Sequence, residues 1–594
     1  MPCRRTVVDL AILCAVLLSL SVGNREWLFP SDGLDSWIYY GYFQHYDDPS
    51  FFVGQKKLAR LPWILAGYAV NAIFPPIVAG IVLHAGFLLA GAIALYFLVR
   101  RLFNRNAAVL SAILFVAYTR FHGSGEWDYH NVATAPFYFL FFHALVAGTD
   151  ERERPFTRFA LFGALAAIAI HVNIIIVNLI PAMLIQLAFQ LRRVGAHMKP
   201  PGWFWRAGLG ALFGALALTA ALGLVDVAVG REFFFYHALL ERSVFLLEHK
   251  EAQADWWADW GSRWWAKDDT LWLLIALAVA VPFALLRDRR QKAATDFTSA
   301  GMATAIYIEF LVTLAIFAIW QALGQTSLQP EYMAYPAFLP AFLALAALIW
   351  RILPQQEAGV TLAAVVAGVL LVFFLKTGFT LPWHSYPALS EWRSFVLALI
   401  FLLGLVSAAC VRLAANGLRR YGTVTVVCYS CIALSFAVIN GGGRAYSLFS
   451  ACELNESQYA LIAEVHRYLY PLAKRGKEVR VWWEPGETVR TLGCDTIMDH
   501  IVSPIVFSGF DGIMPIGEMD MASSANTIPE QYLRAAVPGS TIVAAFTNRL
   551  ASAEKLRDRL RAHSPGWQIV EMREFRYDGL TYAIDLIEAP AASH

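Results

Sequence analysis

Apolar residues fall in long runs separated by short polar breaks. A helix that crosses the hydrocarbon of a bilayer needs about 20 apolar residues, fewer where it is broken or the bilayer is thin. The pattern predicts spans near 7–23, 77–98, 107–119, 132–147, 157–170, 172–190, 208–229, 271–286, 303–322, 335–351, 358–375, 393–412 and 423–440, about thirteen in all. The first run follows Arg4 and Arg5, and with no convincing small-residue cleavage site after it, it reads as a retained span. Only 157–190 is ambiguous by length. It reads either as one long helix or as a hairpin broken around His171-Val172-Asn173.

Charge resolves the ambiguity. Basic residues cluster in cytoplasmic loops of membrane proteins. Here they cluster at Arg100-Arg101-Arg105, Arg152-Arg154-Arg158, Arg192-Arg193-Lys199-Arg206, Arg287-Arg289-Arg290, Arg351 and Arg412-Arg419-Arg420. Alternation from a cytoplasmic N-terminus puts all of them inside only if 157–190 crosses twice, so the hairpin is predicted. The outer side then receives 24–61, 120–131, 230–270, 323–334, 376–392 and everything from 441 onward. Within the tail, 455–474 reads as a helix with an apolar face. Strand-like runs lie at Val479–Trp483, Ile501–Phe507, Ser540–Phe546 and Thr581–Ile587, and 551–562 is helical and charged. Strands alternating with helices predict a small soluble α/β domain. The expected organisation is a polytopic α-helical membrane domain over 1–440 and an extracytoplasmic soluble domain over 441–594.

Composition fits a multi-pass protein of the plasma (inner) membrane. Of 594 residues 58% are hydrophobic and 15% charged, and mean hydropathy is +0.51, against about 25% charged in ordinary soluble domains. The net charge of +2 sorts by membrane side and forms no basic patch, so nucleic acid is not an expected partner. The 7 cysteines show no metal-binding spacing, and Cys452 with Cys494 could pair if the tail faces an oxidising compartment. Asn455-Glu456-Ser457 fits a glycosylation sequon.

Ionisable groups near hydrocarbon are costly and usually functional. Two outer loops hold such groups. The first contains Asp32 and Asp35, followed by Asp47-Asp48; Asp35 can also cap a helix starting at Ser36. The second is Gly125-Glu126-Trp127-Asp128-Tyr129-His130. In an extended segment alternate residues point the same way, so Glu126, Asp128 and His130 can converge. Oxygen ligands with one imidazole suit Mg or Mn; alternatively Asp128 and His130 pair and cap the helix entering at Asn131. Further candidates are the cation- and Trp-rich 230–270 loop, with Arg231 and Arg242, and Lys376 and His384 as partners for a lipid phosphate. The aromatics of 230–270 also fit an interfacial belt. Glu309, mid-span, calls for a partner that the sequence does not name.

The span count, the acidic first outer loop, the Glu126–His130 motif and the outer terminal domain resemble the GT-C superfamily of membrane glycosyltransferases. More specifically, they resemble the catalytic subunit of oligosaccharyltransferase. The resemblance implies that Asp35 or Asp32 with Asp128 and His130 hold a divalent cation. Trp482-Trp483-Glu484-Pro485-Gly486 is similar to that family's acceptor motif, with Glu in place of Asp and Pro in place of Tyr. The outer loop at 325–332 is far shorter than in that family. Its Glu331-Tyr332 with Tyr335-Pro336 is reminiscent of an Arg-Tyr-Pro-Pro stretch in enzymes that use lipid-phosphate sugars, with Glu where Arg would be. The expected activity is transfer of a sugar from a polyprenyl-phosphate or polyprenyl-diphosphate donor to a glycan, lipid or protein acceptor at the periplasmic face. The alternatives are Asn glycosylation of proteins and, from another class, a lipid or sugar transporter, which predicts polar residues inside the spans and broken helices.

Overall fold

The computed structural model describes residues 2–23, 39, 41–44, 46–47, 55–74, 76–118, 130–150, 153–193, 200–248, 271–291, 299–322 and 331–352. It also describes scattered helical residues between 395 and 406, Tyr468, and four strands within 478–588. Spans predicted at 358–375 and 423–440, strand 501–507, helix 551–562, Cys452, Cys494 and Asn455 lie outside the described residues. The chain divides into two compact units, one of Met1–Leu28, Gln55–Ala66 and Val78–Ala445, the other of Phe29–Gly54, Gly67–Ile77 and Tyr446–His594.

The helices in chain order are α1 Pro2–Gly23, α2 Gln55–Leu58, α3 Leu61–Asn71, α4 Pro76–Leu102, α5 Arg105–Ala117 and α6 His130–Asp150. Then come α7 Pro155–Val172, a 3₁₀ turn Ile174–Leu179, α8 Ile180–Arg193, α9 Trp203–Ala228 and α10 His237–Glu248. The last are α11 Trp272–Gln291, α12 Ser299–Ala322 and α13 Glu331–Ile352. Among the described residues seven helices are long and apolar enough to cross a membrane: Val82–Leu102, α6, α7, Ile174–Arg192, α9, α12 and Ala334–Ile352. Arg105–Val116 and Trp272–Leu286 are shorter apolar helices. The stretch 157–190 is two helices, as the basic loops require.

Local sequence sets the ends. Asn104 caps α5 by accepting from the Ala107 N–H at 2.9 Å, and Pro155 starts α7 at the position where a missing N–H costs nothing. Gly230, with φ of 82°, follows the end of α9 in the left-handed conformation that favours glycine. Two elements depart from the sequence reading. Residues 61–71 form α3, an apolar helix in what reads as the end of a loop, and α10 forms within the segment 230–270 that reads as an outer loop.

Close approach holds α7 to α9. A Cβ added at Gly163 would land on the Ala211 carbonyl, one at Gly210 on that of Phe156, and one at Gly214 on that of Ala160. Small residues let transmembrane backbones meet where the hydrophobic effect gives no help. The other face of α9 leaves Leu212, Phe213 and Leu216 exposed, as a lipid-facing surface requires. Among the described membrane-length helices α13 is the most buried, and it packs on α5, α6, α11 and α12. It contains Pro336 and Pro340, which membrane helices tolerate where neighbours compensate the freed backbone groups.

The helix α1 is clamped through one buried carboxylate. Asp9, 1% exposed, accepts two hydrogen bonds from Arg105, at 2.8 and 2.6 Å, and one from the Tyr96 hydroxyl at 2.8 Å. Arg100 adds bonds to Tyr96 at 2.8 Å and Thr6 at 2.6 Å.

In the second unit, strands β1 Glu478–Trp483, β2 Thr541–Thr547, β3 Gln568–Tyr577 and β4 Leu580–Glu588 form one sheet in the order β1-β2-β4-β3. β1 and β2 are parallel; the other pairs are antiparallel. Three strands match the sequence reading. β3 does not, because a register shift between Ile569 and Glu571 breaks the two-residue alternation. The Arg573 guanidinium lies 4.8 Å from the Tyr468 ring centroid, so the helical Tyr468 sits against the sheet.

Candidate active site

Two asparagines build one end of the helical bundle. α7 stops at Asn173, whose backbone is extended (φ −147°, ψ 109°). Its side-chain oxygen accepts from the Ile175 N–H at 3.0 Å and so caps the 3₁₀ turn. Its amide donates to Asn131 Oδ1 at 2.8 Å. One residue thus ends a helix, starts the next turn and pins the first turn of α6. Both asparagines are buried. His130 is the first residue of α6 and is 2% exposed, so it stands at an anchored helix start.

The other candidates divide into three groups. Asp32, Asp35, Glu126, Asp128, Lys376, His384 and Glu484 lie outside the described residues. Arg231 is half-buried directly after Gly230, and its N–H donates to the Asp226 carbonyl at 3.0 Å; Arg242 lies on α10. Trp482 and Trp483 are in β1, in register with Ala545 and Phe546 of β2. Glu331 and Tyr332 need a correction: they are not in a loop but in the first turn of α13. Asp47 has a structural use. Its carboxylate accepts from the Tyr68 hydroxyl, and burial first, then the charge and hydrogen bond of Asp47, push the Tyr68 ionisation upward.

One residue was not singled out from sequence, and one group was, but without its partner. Lys57, on α2, is 4% exposed, and α2 packs on α10; a lysine is rarely so buried unless its ammonium is paired. The signal was present, since Lys56, Lys57 and Arg60 put positive charge in a loop that the topology places outside. The second is a polar core inside the bundle. Glu309 of α12 is 1% exposed and takes a 2.7 Å hydrogen bond from Tyr138 of α6, the partner the sequence did not name.

Among the described residues no group of three or more His, Cys, Asp or Glu is placed to hold a metal. Of the expected ligand set only His130 is described. The donor chemistry of two carboxylates and an imidazole fits a hard divalent cation.

Apolar helices closed around a buried polar core define a polytopic membrane protein. Residues 61–219 match the model of the dolichyl-phosphate-mannose-protein mannosyltransferase family. This segment runs from α3 into α9 and includes the Glu126–His130 loop, Asn131 and Asn173. The match covers about a quarter of the chain and is a likeness of that segment to a family of membrane glycosyltransferases. It is also similar to the crystal structure of ArnT from Cupriavidus metallidurans bound to undecaprenyl phosphate, at 14% identity over 97% of each chain with a TM-score of 0.45. The apo state of the same protein gives 13% identity, coverage of 97% of this chain and 98% of that one, and a TM-score of 0.44. A TM-score below 0.5 leaves the superposition loose. No curated protein matches the chain.

Proposed function

We propose that the protein transfers a sugar from a polyprenyl-phosphate or polyprenyl-diphosphate donor to an acceptor at the extracytoplasmic face of the inner membrane. The observation that carries this reading is the family match over 61–219. The solved relative named above was crystallised with undecaprenyl phosphate. In this reading about thirteen spans form residues 1–440, and 441–594 form an extracytoplasmic α/β domain built on the four-stranded sheet.

In the reaction, the bond from the anomeric carbon to the phosphate oxygen breaks, and a bond from that carbon to the acceptor nucleophile forms. The acceptor proton passes to a carboxylate, and the electron pair leaves with the polyprenyl phosphate. Asp35 is the base in this scheme, with Asp32 beside it. Arg231, Arg242, Lys376 and His384, with Lys57 added from its burial, neutralise the phosphate. Asp35, Asp128 and His130 are the residues that would hold Mg or Mn, with Glu126 nearby. When bound, such an ion would stabilise negative charge on the departing phosphate. Without an ion, Asp35 acts as a plain general base and the cationic side chains carry the phosphate charge. Trp482, Trp483 and Glu484 fit an acceptor-binding role, and Glu331 with Tyr332 a donor-binding one.

The test is donor use by the purified full chain in proteoliposomes. Consumption of polyprenyl-phosphate-linked sugar with release of the free lipid phosphate is expected. Use of nucleotide sugars alone, or lipid movement across the bilayer without sugar transfer, would overturn the reading.

A further inference from the structure

Glu309 has no role in the chemistry above. It lies mid-helix, ten residues after Ser299 where α12 begins, among groups that leave it half-satisfied. Tyr138 donates to Oε1 at 2.7 Å, and Gln186 of α8 is the carboxylate's second hydrogen-bonding neighbour, without a close bond to Oε2. No basic side chain pairs with it among the described residues. An uncompensated carboxylate at bilayer depth is strongly disfavoured, which makes such a group a functional site by default.

The polar atoms around it form a seam. In the topology predicted from the basic loops α6 runs inward from the outer face and α12 runs toward it, and the Tyr138–Glu309 bond fixes their register. One helical turn outward, about 5.4 Å, stand Thr134 on α6 and Thr313 on α12, each on the same helix face as the bonded residue. Both are fully buried, and neither hydroxyl has a partner among the described residues. On α8, which packs on both α6 and α12, Gln186 is fully buried beside Glu309 as its hydrogen-bonding neighbour, at longer range than a close bond. Further out, seven residues or about 10 Å above Tyr138, the Asn131 amide nitrogen is likewise unpartnered. Native interiors satisfy nearly all buried polar atoms. Five side chains in one seam with atoms left over therefore point to a bound species.

We propose that Glu309 binds one monovalent cation, hydronium or sodium, inside the bundle, and that the seam connects this site to the extracytoplasmic end. A single carboxylate supplies one negative charge, so a monovalent ion balances it. The surrounding hydroxyl and amide oxygens are hard ligands of the right kind. The groups near Glu309 are Tyr138 from α6 and Gln186 from α8, with Tyr307 and Thr313 on its own helix. α13, also packed on α12, carries Tyr335 and Arg351, and the Arg351 guanidinium stacks over the Tyr307 and Trp350 rings at 5.6 and 5.7 Å. The 3₁₀ turn and the described side chains of α11 bring no ionisable group. The site stands whether or not the proposed sugar donor is correct.

Thermal unfolding of the full chain in lipid nanodiscs, in choline chloride, tests this. A ligand of the native state raises Tm with its concentration. A rise with added sodium at fixed pH identifies sodium; a rise on acidification without sodium identifies hydronium. In either case E309Q is expected to lose the response. Wild-type protein indifferent to both ions, or E309Q retaining the wild-type response, overturns the proposal. Should E309Q fail to fold, T313V and Q186L are expected to raise the half-maximal concentration several-fold, and unchanged values overturn it. For the outward connection, Cys at position 134 (T134C) is expected to react with a membrane-impermeant thiol reagent added outside, while L216C on the lipid face is not. An unreactive T134C removes the connection.

Discussion

Replacing Asn173 by alanine tests how its end of the bundle is held. The side chain makes two bonds, 3.0 Å from the Ile175 N–H and 2.8 Å to Asn131. Losing the cap costs about 1 kcal/mol. The interhelical bond itself contributes only about 0.6 kcal/mol in membrane proteins. The larger effect is indirect, because Asn131 is fully buried and its carbonyl oxygen would be left unpaired, at about 1–3 kcal/mol. N173A should therefore destabilise the protein by roughly 2–4 kcal/mol in reversible unfolding from mixed micelles. Removing both partners removes the orphan, so N131A/N173A should be clearly more stable than the sum of the single variants predicts. Sugar transfer should fall in N173A mainly through kcat, since the start of α6 carries His130. A loss below about 0.5 kcal/mol, or strict additivity in the double variant, refutes this account of that end.

Three further outcomes are expected. D9A breaks the buried clamp and leaves Arg105 and Tyr96 without their acceptor, so unfolding should become easier by about 3–5 kcal/mol; D9A as stable as wild type contradicts the clamp. G214V drives side-chain atoms onto the Ala160 carbonyl and should cost about 1–3 kcal/mol. On the same helix G208A meets open space and should be neutral or slightly stabilising; equal effects at 208 and 214 would argue against close α7–α9 packing. If His130 helps hold a divalent ion, chelation should abolish sugar transfer, Mn or Mg should restore it, and H130A should need a higher ion concentration. Full activity in chelator excludes that role.

The membrane part of the fold was legible because span length and charge sidedness are chain-local properties. The α7–α8 hairpin shows this best: the basic loops on either side demanded a break, and Asn173 supplies it. Non-local pairing was not legible. Tyr138 and Glu309 are separated by 171 positions, so the acid announced itself and its partner did not. α3 was missed because its 11 residues fall short of a span, and β3 because its irregular register hides the alternation that marks a strand. Glu331 and Tyr332 were placed in a loop because polarity was taken as the boundary, whereas the helix begins on the polar residues themselves. Lys57 carried a readable signal, a positive cluster on the side where such charge is sparse, although its burial depends on packing that no local pattern reports.

The central claim is that acidic side chains from two outer loops serve one reaction centre. The most direct measurement is a kinetic cycle of D35N, D128N and the double variant, using polyprenyl-phosphate-linked sugar and the full chain in proteoliposomes. Groups that act as a unit are strongly non-additive. Each single variant should lose most of the transfer rate, and the double variant should be scarcely worse than either. Rate losses that multiply, or a single variant that keeps wild-type turnover, would contradict a shared centre.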